Sequence, residues 1–195
     1  MDQTASVAFQ VAAGIGLAAC AGLRAFLPLF LVSAGARLGL VDPAAPFQWL
    51  GTWPALITLG VAVVVEVLSD KIPLVDHALD VIQAVVKPAA GAVLAMAAFG
   101  DVAPEHKLLM GLVAGGGTAG VVHAIKAKVR LASSFTTAGL GNPFLSFAED
   151  FLSTIGTLMA LVVPFFLLFC VALSGIFLIF AARRFRSRMA RLRER

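Results

Sequence analysis

The amino-acid sequence predicts an all-α protein: a polytopic transmembrane helical bundle of five to six spans with a two-fold internal repeat. Of the 195 residues, 60% are hydrophobic and only 13% are charged, whereas a soluble domain usually carries about 25% charged residues. Apolar runs long enough to cross the hydrocarbon of a bilayer recur along the chain, and two of them carry polar residues in the same helical phase. We therefore expect a single bundle over residues 1–182 and no separate soluble domain.

Five apolar runs follow one another along the chain: 5–33, 53–69, 73–100, 108–131 and 144–182. Trp49 and Trp53 precede the second run, and their amphipathic rings suit a membrane interface. The fifth run is too long for one upright helix, and Pro164 interrupts it. It is either one tilted helix or two spans that meet at a hairpin near Pro164.

The distribution of basic residues bears on the number of crossings. The fourth run ends in Lys126, Lys128 and Arg130, and the segment 183–195 holds seven arginines against the single acid Glu194. Cytoplasmic segments are enriched in Lys and Arg, and both segments can be cytoplasmic only if an even number of crossings separates them. This favours six crossings over five, in a bacterial inner membrane, with a cytoplasmic C-terminal tail facing anionic lipid headgroups. Nucleic acid is not an expected partner, because few aromatic residues interleave with the arginines.

A polar stripe runs along the third apolar run. Asp76, Asp80, Gln83 and Lys87 are spaced by four, three and four residues, which places them on one face of a helix. Charges inside a membrane span are costly, so we expect this face to point into the bundle.

The stripe recurs 70 residues later, where the corresponding positions are also polar: Ser146, Asp150, Ser153 and Thr157. Pro73 and Pro143 match in the same alignment, and each is expected in the first turn of its helix, where a missing N–H costs little. The match predicts two repeat halves, about 5–100 and 108–182, of the inverted kind found in many transporters.

Basic residues complement the two stripes. Arg24 follows an Ala-Gly pair in the first run, and His123, Lys126 and Arg130 share one face of the fourth. Together with the stripes, these residues predict a polar interior that serves as a binding site or pathway for an ion or small solute. The glycines of the fourth run allow close helix packing and could also support a homodimer.

Five segments carry a resemblance to a known family: GLRAFLPLF (22–30), EVLSDKIPLVD (66–76), KPAAGA (87–92), HAIKAKVR (123–130) and NPFLSFAED (142–150). They resemble, in the same order, the bacterial membrane family known as domain of unknown function 4126. The resemblance covers roughly residues 10–165. It implies a polytopic inner-membrane protein and supplies no activity.

The segment from Glu66 to Lys71 also resembles the Glu-x-Gly-Asp-Lys motif of cation/proton exchangers with repeated topology, although the spacing is one residue longer and the glycine is absent. Carboxylate oxygens suit hard cations, so Glu66, Asp70 and Glu149 are possible cation ligands and a divalent cation is a hypothesis here. Glu149 is out of phase with the second stripe. No other cofactor is evident.

Two alternatives to transport stay open. The polar groups could pair internally in a scaffold or accessory subunit. The carboxylates could instead serve a lipid-modifying enzyme, which we consider the weaker alternative because the chain has no His-Glu-x-x-His, Gly-x-Ser-x-Gly or P-loop motif. No catalytic residue is assigned.

Overall fold

The fold is taken from a computed structural model that describes residues 3–70, 73–100, 102–137, 140–173, 175–176 and 183–184. Within these ranges the side chains of 3–5, 73–80 and 104 are not described. The side chains of Asp76 and Asp80, and the arginine tail beyond residue 184, therefore lie outside the described part of the chain.

The described chain is helical and contains no strand. The elements are α1 (Gln3–Leu23), α2 (Phe26–Arg37), a 3₁₀ helix (Ala45–Gly51), α3 (Trp53–Ser69), α4 (Pro73–Ala98), α5 (Pro104–Met110), a π-helical turn (Gly111–Gly116), α6 (Gly117–Thr137), α7 (Asn142–Val162) and α8 (Pro164–Leu173). Among the described residues, four helical stretches are long and apolar enough to cross a membrane, and a fifth is obtained if the 3₁₀ helix and α3, which meet at 69°, form one span. The all-α transmembrane bundle is thus confirmed.

The first apolar run is interrupted, so the prediction of one continuous span over 5–33 is wrong. α1 ends at Leu23 and α2 begins at Phe26. Leu17 of α1 and Val32 of α2 line the same cavity, although 15 helical residues would separate them by about 22 Å. The chain therefore turns back at Arg24 and Ala25.

α1 lies at the centre of the bundle and packs against α4, α6 and α7. α4 runs antiparallel to α1, since Gly14 lies against Ala95 and Gly91 against Ala18. α7 is also antiparallel to α1, with Gly16 near Ala160. Both Pro-started helices, α4 and α7, therefore point the same way.

α6 runs parallel to α1, because Gly22 lies against Ala119 and Val122 while Lys126 reaches Leu23. The two helix pairs matched in the sequence, α1 with α6 and α4 with α7, thus have equal orientation. The expectation of an inverted repeat is wrong for these helices, because sequence similarity carries no direction relative to the bundle. The repeat itself stays a prediction.

The fifth apolar run also breaks. Val163 leaves the helical region at φ −138° and ψ 62°, and Pro164 starts α8. Leu167 of α8 lies against Gly16 and also against Gly156, 11 residues earlier in the chain, so the chain folds back at Pro164. This geometry favours the hairpin alternative for residues 144–182.

Close packing of α1, α4 and α6 depends on Gly91. A Cβ atom there would lie 2.5 Å from the Ala119 Cβ and 2.9 Å from the Gly115 carbonyl oxygen, whereas a Cβ at Gly117 would meet nothing within 4 Å. We expect Gly91→Ala to lower the free energy of unfolding by about 1–3 kcal/mol, and the control Gly117→Ala to leave it unchanged or raise it. Thermal unfolding in detergent measures both, and equal effects would contradict the packing described.

Candidate functional site

A network of six charged residues lies where α1 breaks. It contains three basic and three acidic side chains: Arg24, Lys126, Arg130, Asp70, Glu149 and Asp150. All are buried except Asp150, whose side chain is 22% exposed. These residues, called the charge network below, come from the α1–α2 break, the end of α3, α6 and α7.

Arg24 is fully buried and lies within 4 Å of all three acidic residues of the network. Its Nη1 donates to Asp70 Oδ2, and its Nε lies 2.7 Å from Asp150 Oδ1. The second contact is an ion pair without the alignment of a hydrogen bond between these two atoms. Nη2 donates to the side chain and to the carbonyl of Ser146, at 2.7 and 3.2 Å. One guanidinium therefore fixes the relative positions of α1, α3 and α7.

Arg130 and Glu149 form a two-point ion pair. Arg130 Nε donates to Glu149 Oε1 at 3.2 Å, and Nη2 donates to Oε2 at 2.9 Å, which is the parallel geometry that favours Arg over Lys. Lys126 Nζ lies 2.9 Å from Glu149 Oε2. Glu149, although out of phase with the stripe, is thus central to the network because it faces α6.

Asp70 follows the last residue of α3 and is shared by all three basic residues. Arg130 Nη2 lies 3.0 Å from Asp70 Oδ2, and Lys126 Nζ lies 3.9 Å from it. Three positive charges thus surround this buried carboxyl.

Charged side chains also satisfy the backbone at the helix break. Glu66, which is 3% exposed, accepts hydrogen bonds from the N–H groups of Ala25 and Phe26 at 2.8 and 3.1 Å. Lys126 Nζ donates to the carbonyl oxygen of Leu23 at 3.1 Å. A carboxylate thus faces the positive end of α2 and an ammonium faces the negative end of α1.

Two residues of the second stripe donate to backbone carbonyls, Ser153 to α1 and Thr157 to α7 itself. Ser153 Oγ donates to the carbonyl of Cys20 at 3.2 Å, and Thr157 Oγ1 donates to the carbonyl of Ser153 at 2.6 Å. Both side chains are fully buried. Of the second predicted stripe, Ser146 and Asp150 therefore join the charge network, while Ser153 and Thr157 contact backbone next to it.

The first stripe is described only in part. Lys87 is fully buried, and its Nζ lies 3.3 Å from His123 Nδ1. Gln83 is buried one turn earlier, and its Oε1 makes no hydrogen bond to the residues that the structure describes. The other two stripe residues, Asp76 and Asp80, have side chains outside the described part of the chain.

The carboxylates proposed as cation ligands contact nitrogen donors instead. Glu66 binds two backbone amides, and Asp70 and Glu149 bind the basic residues of the network. Within the described part of the chain, no three His, Cys, Asp or Glu side chains are grouped to hold a metal ion. One feature of the sequence indicates that the carboxylates pair with basic side chains: the apolar runs contain equal numbers of basic and acidic residues.

The Arg130–Glu149 pair generates a test of the network. Arg130→Met leaves Glu149 with one fewer partner, and losing one member of a buried ion pair costs about 3–5 kcal/mol of unfolding free energy. The double variant Arg130→Met with Glu149→Leu leaves four balanced charges, so it should lose less than either single variant. Denaturant unfolding of all four proteins in detergent gives the coupling, and purely additive losses would contradict the pairing.

The role of Glu66 can be tested separately. Glu66→Ala leaves two amides without an acceptor, and each buried unsatisfied group costs about 1–3 kcal/mol. We expect faster hydrogen exchange at Ala25 and Phe26, an intermediate effect for Glu66→Gln, and none for Glu105→Ala in exposed α5. Unchanged exchange in Glu66→Ala would show that the carboxylate does not cap α2.

Comparison with known proteins agrees with the resemblance noted in the sequence. No curated protein and no solved structure matches the chain. A family model described as "Domain of unknown function (DUF4126)" matches residues 11–184, which include every member of the charge network. The chain therefore belongs to the DUF4126 family, a family of unknown function whose matched region here is a multi-pass helical membrane bundle.

Proposed function

We propose that this protein is a small transporter or channel of the bacterial inner membrane, in which the charge network lies on the path of an ion or small polar solute. The supporting observation is the broken helix at Arg24 and Ala25, which has buried charges of both signs at its two ends. Transporters bind solutes at discontinuous helices whose half-helix ends face the site. The exposed Arg183 and Arg184 support a cytoplasmic C-terminus.

The energetic cost of the network supports a functional role. Charged residues inside a membrane bundle are expensive, and those that persist commonly mark ion or substrate paths. Replacing buried ion pairs by well-packed apolar residues is often neutral or stabilising. Six buried charges therefore add little to the stability of the bundle compared with apolar side chains. This favours a role for them in binding or moving a solute.

The arrangement of the ion pairs is suited to exchange of partners. Asp70 Oδ2 and Glu149 Oε2 each lie within 4 Å of Arg24, Lys126 and Arg130, and the separations range up to 3.9 Å. Two carboxylates thus share the same three basic groups. Small side-chain movements would pass a basic group from one carboxylate to the other without leaving a charge unpaired.

Asp150 is the member of the charge network that an entering solute would meet first. Its side chain is more exposed than those of the other network members, and its Oδ1 lies 2.7 Å from Arg24 Nε. A solute that reaches Asp150 meets the guanidinium that also binds Asp70. Neutralising Asp150 would thus change the path at its most exposed charged group.

A scaffold or accessory subunit is the second candidate, and the internal pairing of the network favours it. Each of the six charged side chains lies within 4 Å of an opposite charge. In this case the network would specify how α1, α3, α6 and α7 assemble, and no solute would enter.

Flux measurements separate the two functions. In proteoliposomes with an imposed proton gradient, we expect the wild type to move at least one member of a panel of cations and small anions. Asp150→Asn should reduce that flux to the level of empty liposomes, because the carboxylate that faces the entering solute has lost its charge. Glu105→Gln, which neutralises an exposed carboxylate outside the network, should retain the flux.

Thermal unfolding is measured on the same preparations. Asp150→Asn with normal unfolding and lost flux supports the transporter. No flux from the wild type, together with earlier unfolding of Asp150→Asn, contradicts it and supports the scaffold.

A further inference from the structure

An apolar cavity of about 590 Å³ lies between α1, α2, α4 and α7, at the end of the bundle opposite the charge network. Its volume falls in the range of small-molecule sites. The floor is formed by side chains that are 0–4% exposed: Leu17, Val32, Leu94 and Ala97. This floor offers hydrocarbon contacts and no charged group.

The rim of the cavity differs from its floor. Leu38 and Leu40 are more than 70% exposed, and the exposed Asp42 lies beside them. Gln10 is the other polar lining residue, and its side-chain amide lies 3.4 Å from Ser6 Oγ. Asp42 therefore contributes the one formal charge among the residues that line the cavity.

Neighbouring residues place this rim at a membrane interface. The Ala44 amide donates to the carbonyl of Ala97 at 2.8 Å, which ties the rim segment to the end of α4. The exposed Trp49 and Trp53 follow in the same connection, and tryptophans concentrate at headgroup level. Arg37, the nearest basic residue in the sequence, stacks on the Trp53 ring at 4.8 Å and does not line the cavity.

We propose that the cavity binds a single-chain cationic amphiphile, with its alkyl chain on the apolar floor and its ammonium head beside Asp42. The apolar floor offers the chain van der Waals contacts, and the carboxylate at the rim selects a positive head over a negative one. The site is separate from the charge network and does not depend on the proposed transport.

Photoaffinity labelling tests the site directly. The probe is dodecyltrimethylammonium with a diazirine in its tail, applied to the protein in nanodiscs of zwitterionic lipid. We expect labelling of the peptides that contain Leu17 and Leu94, competed by unlabelled dodecyltrimethylammonium more strongly than by dodecyl sulfate. Labelling spread over the lipid-facing surface without competition would overturn the proposal.

Variants separate the tail and head contributions. The larger side chains of Ala97→Leu and Ala13→Leu extend into the cavity, so both variants should lose the labelling that unlabelled dodecyltrimethylammonium reduces. The control Ala127→Leu, on the exposed face of α6, should retain that labelling. Asp42→Asn should keep labelling but weaken the preference for the cationic head by up to about fivefold, the size of one exposed ion pair. If Asp42→Asn leaves the preference for the cationic head unchanged, the head is not recognised at this rim. This result does not depend on whether the cavity-filling variants fold.

Discussion

The rest of the structure depends on the need to satisfy backbone polar groups where a helix breaks inside an apolar bundle. The break at Arg24 and Ala25 leaves N–H and C=O groups that no water in a bilayer core would bind. Glu66 and Lys126 supply the missing partners. Each of these side chains brings a charge into the bundle, so the break and the buried charges are two parts of one arrangement.

Small residues make this arrangement geometrically possible. A Cβ at Gly22 would lie 2.6 Å from the carbonyl oxygen of Ala119, so α1 and α6 approach closely just before the break. That approach brings Lys126 within hydrogen-bonding distance of the Leu23 carbonyl. Gly22 of the first run therefore contributes to the polar site as well as to packing, although Lys126 lies about 100 residues later in the sequence.

The sequence predicted those features that depend on the residue pattern of one helix. It did not predict the features that depend on contacts between helices. Composition and run length predicted the membrane bundle, and periodicity predicted that Gln83, Lys87 and Ser146 are buried. Periodicity could not place Glu149, because its partners come from α6 rather than from its own helix. The break at Arg24 was also missed, although it has one local signal: Pro28, in the first turn of α2, has no N–H to donate to the Arg24 carbonyl. The residue that caps α2, Glu66, lies about 40 residues away, and such a tertiary contact leaves no local pattern.

The balance of charge in the network constrains any solute that enters it. Three basic and three acidic side chains compensate one another, so an anion that took Arg24 from Asp70 would leave a buried carboxylate with one fewer partner. A buried carboxylate without a counter-charge binds a proton more readily. A cation that displaced Lys126 from Glu149 would create the opposite imbalance. Passage of a charged solute through the charge network would therefore be accompanied by movement of a proton or counter-ion, which is the electrostatic reason to measure flux under a proton gradient.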